Sequence, residues 1–362
     1  MAGVRYTISA TTESASYDIL IGSSFLPDAC RRREISGSER IALIVSARTY
    51  ELHHQYVRKS LDYLWDRLIL LPMDDREENK SYSYAEQYFE KFVSEKLNRR
   101  SIVICVGGGV VGDFAGFCAG AYMRGIPVIH VPTTLLAMVD SSIGGKVAVN
   151  LTVGKNIVGL FHHPSLVISD VQFLQSLPEA EFKNGLTESF KHGLLGDDRT
   201  LELLEKNGPA SIKREDAISE LVALSASFKS GIVTKDEREA GLRSILNFGH
   251  TVGHAIESSF SHKGISHGQA VAAGIKIKIE ASRRMSLLTG EEAARVYEIM
   301  SRYRLLPEKI DLDVERVIRH MEYDKKNFGN AIQFVLMHGL GNPRINQRID
   351  SDLLKEVMVE IC

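Results

Sequence analysis

Along the first half of the chain, short runs of β-branched and other apolar residues alternate with stretches of helical patterning. "ERIALIVS", "DRLILLP", "RSIVICVGG", "PVIHVPTT" and "PSLVISD" have the length and apolar continuity of buried parallel strands. The alternation predicts an α/β layer, in which ligands gather at the carboxyl ends of the strands. After Asp170 the period changes. From "LPEAEFKNGLTESFKHGLL" onward the apolar residues recur at helical spacing, through Asp216 to Lys229, Gly268 to Leu288 and Glu291 to Tyr303. A late β-like pair, "AIQFVLMH" and "RINQRID" around Gly339, precedes one last short helix. The expected organisation is an α/β domain over 1–170 followed by a mainly α-helical domain over 171–362.

Composition narrows this picture without adding to the fold. The chain has 362 residues, enough for two domains, and 44 basic against 46 acidic side chains. A net charge of −2 offers no general attraction to nucleic acid or an anionic membrane, so any positive patch is local. Cys30, Cys105, Cys118 and Cys362 show no paired spacing, as expected of a reducing compartment. The first residues lack the basic and apolar regions of a signal peptide, and no apolar run reaches the roughly 18 residues of a membrane span. A soluble cytoplasmic protein is expected.

Three features carry chemistry. In "ICVGGGVVGDFAG", a strand runs into a helix and Gly107, Gly109 and Gly112 satisfy G-x-G-x-x-G. Such glycines let a pyrophosphate approach backbone N–H groups at a helix N-terminus. The motif follows a later strand than the usual dinucleotide fingerprint, and no acidic residue stands about 20 positions on to hold a ribose. In "LNFGHTVGHAIE", His250, His254 and Glu257 share one helical face, with His267 following in "SHGQAV". Imidazole and carboxylate together suit zinc or a similar divalent ion. Spacing leaves His192, His250, His254 and His267 open as ligands, with Glu188 or Glu257 as the carboxylate. Finally, Arg124, Lys146, Lys155, Lys191, Lys229, Arg243 and Lys326 stand beside glycine or polar residues. If they converge, they suit a small, multiply charged anion.

The blocks "GGGVVGDFAGFCAGAYMRG", "VPTTLLAMVDSSIGGKVAVN", "GKNIVGLF", "GLTESFKHGLL", "KDEREAGLRSILNFGHTVGHAIE" and "HGQAV" occur in an order that resembles the 3-dehydroquinate synthase family of sugar-phosphate cyclases. The resemblance runs from "YDILIG" to "FVLM". It implies an N-terminal α/β domain binding NAD, a mainly helical C-terminal domain binding a divalent metal (zinc or cobalt), and a homodimer. It also implies an activity: conversion of the sugar phosphate 3-deoxy-D-arabino-heptulosonate 7-phosphate to 3-dehydroquinate and phosphate in the shikimate pathway. The route it implies is transient oxidation by NAD, phosphate elimination, reduction, ring opening and aldol closure.

Carried over position by position, the resemblance assigns the metal to Glu188, His250 and His267. The NAD contacts fall on Asp75, Glu77 and Lys80, on Gly109, Val110, Val111, Gly112 and Asp113, on Thr133 and Thr134, on Lys146 and Lys155, and on Phe173, Leu174, Gln175 and Ser176. Arg124, Lys146, Asn156, Asn247 and His254 match the phosphate contacts, with Arg124 reaching across a dimer interface. Lys191, Lys229 and Arg243 match groups that hold the carboxylate and ring hydroxyls, Asp140 lies close to the reacting alcohol, and Lys326 joins the catalytic set.

Three positions depart from the family pattern: Gln269 replaces a usual glutamate, no glycine precedes Glu77, and Ala47 stands where an acidic or amide residue often meets adenosine. Ala47 with Arg48 beside it leaves room for NADP. Two alternatives remain at this stage: a cyclase for the amino analogue of the same substrate, and a metal-dependent NAD polyol dehydrogenase.

Overall fold

The structure, a computed structural model, describes residues 3–260, 264–307, 310–328 and 332–361, with the backbone alone for 322–328. It forms two compact units, Met1–Phe182 with Ile218–Arg238, and Lys183–Ala217 with Glu239–Cys362. The change to helical texture after Asp170 marks a change of element. Compactness depends instead on packing, and most of the long helix Glu215–Lys235 belongs with the first unit.

In the first unit, the strands in chain order are β1 (Val4–Thr11), β2 (Ser16–Gly22), β3 (Ile41–Ser46), β4 (Leu68–Met73), β5 (Ile102–Gly107), β6 (Val128–Pro132), β7 (Lys146–Leu151), β8 (Gly154–Phe161) and β9 (Leu166–Asp170). Among the described residues, seven of them make a sheet of order β1-β2-β9-β6-β5-β3-β4. It is parallel except for the β1/β2 hairpin. All five apolar runs noted above are strands of this sheet. Every residue of β3, β5, β6 and β9 is buried, which is why those runs lack polar alternation. From β3 the chain goes outward to β4 and then returns to the other side of β3 as β5. Strand order therefore reverses at the carboxyl ends of β3 and β5, where open α/β sheets bind ligands.

The second unit is mainly helical, with His250–Ser259 and His267–Arg284 crossing closely and Gly290–Arg302 and Ser351–Ile361 beyond. Small residues allow the crossing: a Cβ on Gly274 would meet the Gly249 carbonyl oxygen at 2.1 Å. The late β-like pair is the antiparallel pair β10 (Phe334–Met337) and β11 (Pro343–Gln347). Val252, Ile256, Ala273, Ile277, Leu336, Val357 and Met358 share one buried core there.

Candidate active site

In the first unit, residues expected to contact a cofactor follow the carboxyl ends of successive parallel strands. Ser46 closes β3 and donates its hydroxyl to Asp75 at 2.6 Å, just past β4. After β5, Gly108 caps the helix Gly109–Ala121, so Gly109, Val110, Val111, Gly112 and Asp113 form its first turns. A Cβ on Gly108 would meet Thr134 at 3.0 Å, which explains the glycine in steric terms. Thr133 follows β6 and donates its backbone N–H to the Gly107 carbonyl at 3.0 Å. Phe173, Leu174, Gln175 and Ser176 lie in the 3₁₀ turn after β9; the Ser176 hydroxyl is 2.7 Å from His53 Nε2. This is the topological edge at which nucleotides bind, with backbone N–H groups of a helix N-terminus available to phosphate.

Lys80 is buried, and its ammonium donates to Asp113 and to Asn156 Oδ1, both at 2.5 Å. Burial pushes the Asp113 carboxyl upward, and the Lys80 charge opposes it. Glu77 accepts from Asn150 Nδ2 at 2.8 Å, tying this turn to the β7/β8 hairpin. Lys146 and Lys155 are exposed on that hairpin, and Arg124 is exposed with a left-handed backbone. Elsewhere in the unit, Lys229 Nζ lies 2.7 Å from Asp140 Oδ1 and donates to the Asp140 carbonyl at 2.6 Å.

The second unit gathers Glu188, His250 and His267, whose ligand atoms all lie within 4.8 Å of one another. Glu188 is fully buried in the helix Glu179–Leu194, paired with Lys191 one turn on. His250 Nε2 is 3.5 Å and His267 Nε2 3.7 Å from Glu188 Oε1. The remaining ring nitrogens face acceptors: His250 Nδ1 the Phe248 carbonyl and His267 Nδ1 the Glu257 carboxylate, each at 3.2 Å. A neutral imidazole that donates from Nδ1 presents a lone pair at Nε2. Both Nε2 atoms converge on a carboxylate oxygen, and with the rings neutral, as a bound cation requires, this nitrogen and oxygen donor set fits zinc or cobalt.

The proton affinities reflect the same clustering. Burial pushes Glu188 up, but Lys191 and the two histidines outweigh it and hold the carboxyl well below its usual range. Burial and Lys191 press His250 down to about 3. For His267, burial is overcome by Glu188 and Glu257, which raise it to about 10.

His254 is exposed, its ring edge-on to that of His250 with centroids 5.3 Å apart. His192 is buried on the Glu188 helix. Arg243 is buried in the 3₁₀ turn Leu242–Asn247, and Asn247 at its end donates to Glu239 Oε1 at 2.9 Å. Glu239 escaped the reading of the sequence; its left-handed backbone, φ 60°, is the structural sign of a constrained position. The side chain of Lys326 lies outside the described residues.

Gln269 also has a local explanation. The Ser266 N–H donates to Gln269 Oε1 at 3.0 Å while the Gln269 N–H donates to Ser266 Oγ, a capping box in which glutamine serves as well as glutamate.

Comparison with known proteins agrees with the order of the motifs. The family model described as 3-dehydroquinate synthase N-terminal matches residues 70–184, and that described as 3-dehydroquinate synthase C-terminal matches 185–327. The chain is 35% identical to 3-dehydroquinate synthase of Teredinibacter turnerae over 98% of its own length and 99% of the relative's. With the enzyme of the same name from Thermodesulfovibrio yellowstonii it shares 38% identity, covering 95% of this chain and 97% of the other. Among solved structures, a 2-deoxy-scyllo-inosose synthase complexed with carbaglucose-6-phosphate, NAD+ and Co2+ is similar with TM-score 0.89 and 27% identity, covering 98% of this chain and all of the other.

Proposed function

Because the chain belongs to the 3-dehydroquinate synthase family, we propose that it converts 3-deoxy-D-arabino-heptulosonate 7-phosphate to 3-dehydroquinate and phosphate, as a phosphate-eliminating lyase. The observation that carries this reading is the convergence of Glu188, His250 and His267 in a chain whose relatives are 3-dehydroquinate synthases along nearly their whole length.

When bound, NAD supplies a reversible hydride acceptor for one ring hydroxyl, and a zinc or cobalt ion supplies Lewis acidity to the neighbouring hydroxyls. Glu188, His250 and His267 would hold the ion. The strand-end residues of the first unit, from Asp75 through Ser176, would hold the dinucleotide, with Gly109, Val110 and Val111 at the start of the helix offering their N–H groups to the pyrophosphate.

Substrate is assigned to the cations and amides. In the first unit, Arg124, Lys146 and Asn156 bind phosphate, and Lys229 and Asp140 address a ring hydroxyl; their 2.7 Å contact supports a shared task. In the second, Lys191 and Arg243 hold the carboxylate and hydroxyls, Asn247 and His254 contact phosphate, and Lys326 joins them. Binding through such remote charges positions the reacting carbon.

A homodimer in the cytoplasm completes the proposal. Exposed Leu151, Val153, Ile157 and Phe161 on the β7/β8 hairpin support a covered face. Among the described residues, no helix is long and apolar enough to cross a membrane.

The test follows phosphate release and 3-dehydroquinate formation together, with catalytic NAD, before and after chelation. Both products should appear in equal amounts, cease on chelation and return with zinc or cobalt. Steady NADH accumulation from a simple polyol without phosphate release would overturn the proposal in favour of a dehydrogenase.

A further inference from the structure

The two histidines facing Glu188 are held from behind in different ways. His250 Nδ1 meets the carbonyl of Phe248, two residues earlier in the chain, so its support comes with the turn. His267 begins a helix, and its Nδ1 meets a side chain from another one, Glu257 Oε2 at 3.2 Å. Glu257 stands two turns after His250 on the helix His250–Ser259, and therefore on the same face.

We infer that Glu257 is a positioning residue: by accepting the Nδ1 hydrogen it fixes the tautomer and ring plane of His267, so that Nε2 is presented to a divalent cation held with Glu188 and His250. The inference rests on the reading of those three side chains as ligands. A carboxylate behind a ligating imidazole also makes the ring a stronger donor, and its removal ordinarily lowers metal affinity 10- to 100-fold.

The same atoms permit a competing arrangement. His254, Glu257 and His267 also have ligand atoms within 4.8 Å of one another, which could make Glu257 a direct ligand of a second cation. Neutral imidazole has only one lone-pair nitrogen. If His267 turned a lone pair from Nδ1 toward such a cation, it would lose the one that Nε2 offers toward Glu188. The two uses exclude each other, and burial of Glu188 against His250 favours the first.

The test uses the metal-free full chain, Zn2+ titrated against a chromophoric chelator, and Co2+ binding read from its d–d absorption. Glu257→Ala should weaken Zn2+ binding about 100-fold and Glu257→Gln, which keeps an acceptor oxygen without the charge, about 10-fold. Wild-type protein and both variants should bind one Co2+ per chain with the same band shape. His250→Ala separates the two levels of the argument. If it binds Zn2+ as wild type does, the ligand reading itself fails. If it loses the metal while Glu257→Ala and Glu257→Gln stay within about twofold of wild type, the inference alone is overturned. A second Co2+ per wild-type chain that disappears in Glu257→Ala overturns it too, by making Glu257 a ligand. Should the alanine variant fail to fold, the glutamine variant decides by the same criterion.

Discussion

Asn184 Oδ1 accepts hydrogen bonds from the Gly268 backbone N–H at 3.0 Å and from the Ser266 hydroxyl at 2.8 Å. Asn184 lies one turn before Glu188 on the same helix, so this contact sets the start of the helix His267–Arg284, and with it His267, against Glu188. A Cβ on Gly268 would stand 2.6 Å from the Asn184 Cα. Because that neighbour is backbone, it cannot swing aside. Gly268→Ala is expected to cost about 1–3 kcal/mol in urea unfolding and to weaken Zn2+ binding in the same preparation.

The departure at Gln269 predicts the opposite behaviour. Its side chain turns back to the Ser266 N–H and closes the capping box, a task for which glutamate is equally suited. Gln269→Glu keeps the cap and should leave unfolding within about 0.5 kcal/mol of wild type. Ser266→Ala should cost about 1 kcal/mol. A large activity change in Gln269→Glu, measured by phosphate release, would mean that the position meets substrate.

How far these relationships could be read from sequence depends on what held each element. The buried strands were legible because β3, β5, β6 and β9 are apolar throughout and face the core on both sides. The β1/β2 and β7/β8 hairpins were not: "VRYTISAT" and "GKNIVGLF" are mostly exposed and carry mixed polarity. At the site, spacing put His250 and His254 on one face but could not show that His267 and Glu188 join them: His267 comes in through the crossing of separate helices around Gly249 and Gly274, and Glu188 through the Asn184 contact with Ser266 and Gly268. Glu239 paired with Asn247 depends on one left-handed residue, which no periodicity announces.

The Lys80–Asp113 pair makes a further prediction. Its side chains are 4% and 23% exposed, so removing the lysine leaves a mostly buried carboxylate without its charge partner. Lys80→Met should cost about 3–5 kcal/mol, and the double variant Lys80→Met with Asp113→Asn should recover much of that. In the single variant, a carboxyl whose folded pKa is raised loses stability as pH rises through that value. Urea unfolding across the acid range reads this slope directly.

Lys278 supplies the last prediction. It is fully buried in the helix His267–Arg284, with Nζ 5.7 Å from the ring centroids of both Phe248 and Phe334 and no hydrogen-bond partner among the described residues. Burial lowers its pKa from 10.5 to about 7. Below that value the ammonium is charged in both folded and unfolded chains, and the folded state bears the whole desolvation penalty. Between about 7 and 10.5 the unfolded chain binds more protons at Lys278, so this residue's contribution to stability rises with pH through the window, while that of His267, raised to about 10, falls. Lys278→Met, which keeps an unbranched chain and removes the charge, should stabilise the protein at pH 6 by about 1–4 kcal/mol, as hydrophobic replacement of buried charge does elsewhere. Its advantage over wild type should shrink between pH 7 and 10, as the wild-type lysine loses its charge in the folded state. Urea unfolding of wild type and variant at three pH values distinguishes this from a packing effect, which would shift stability equally at every pH.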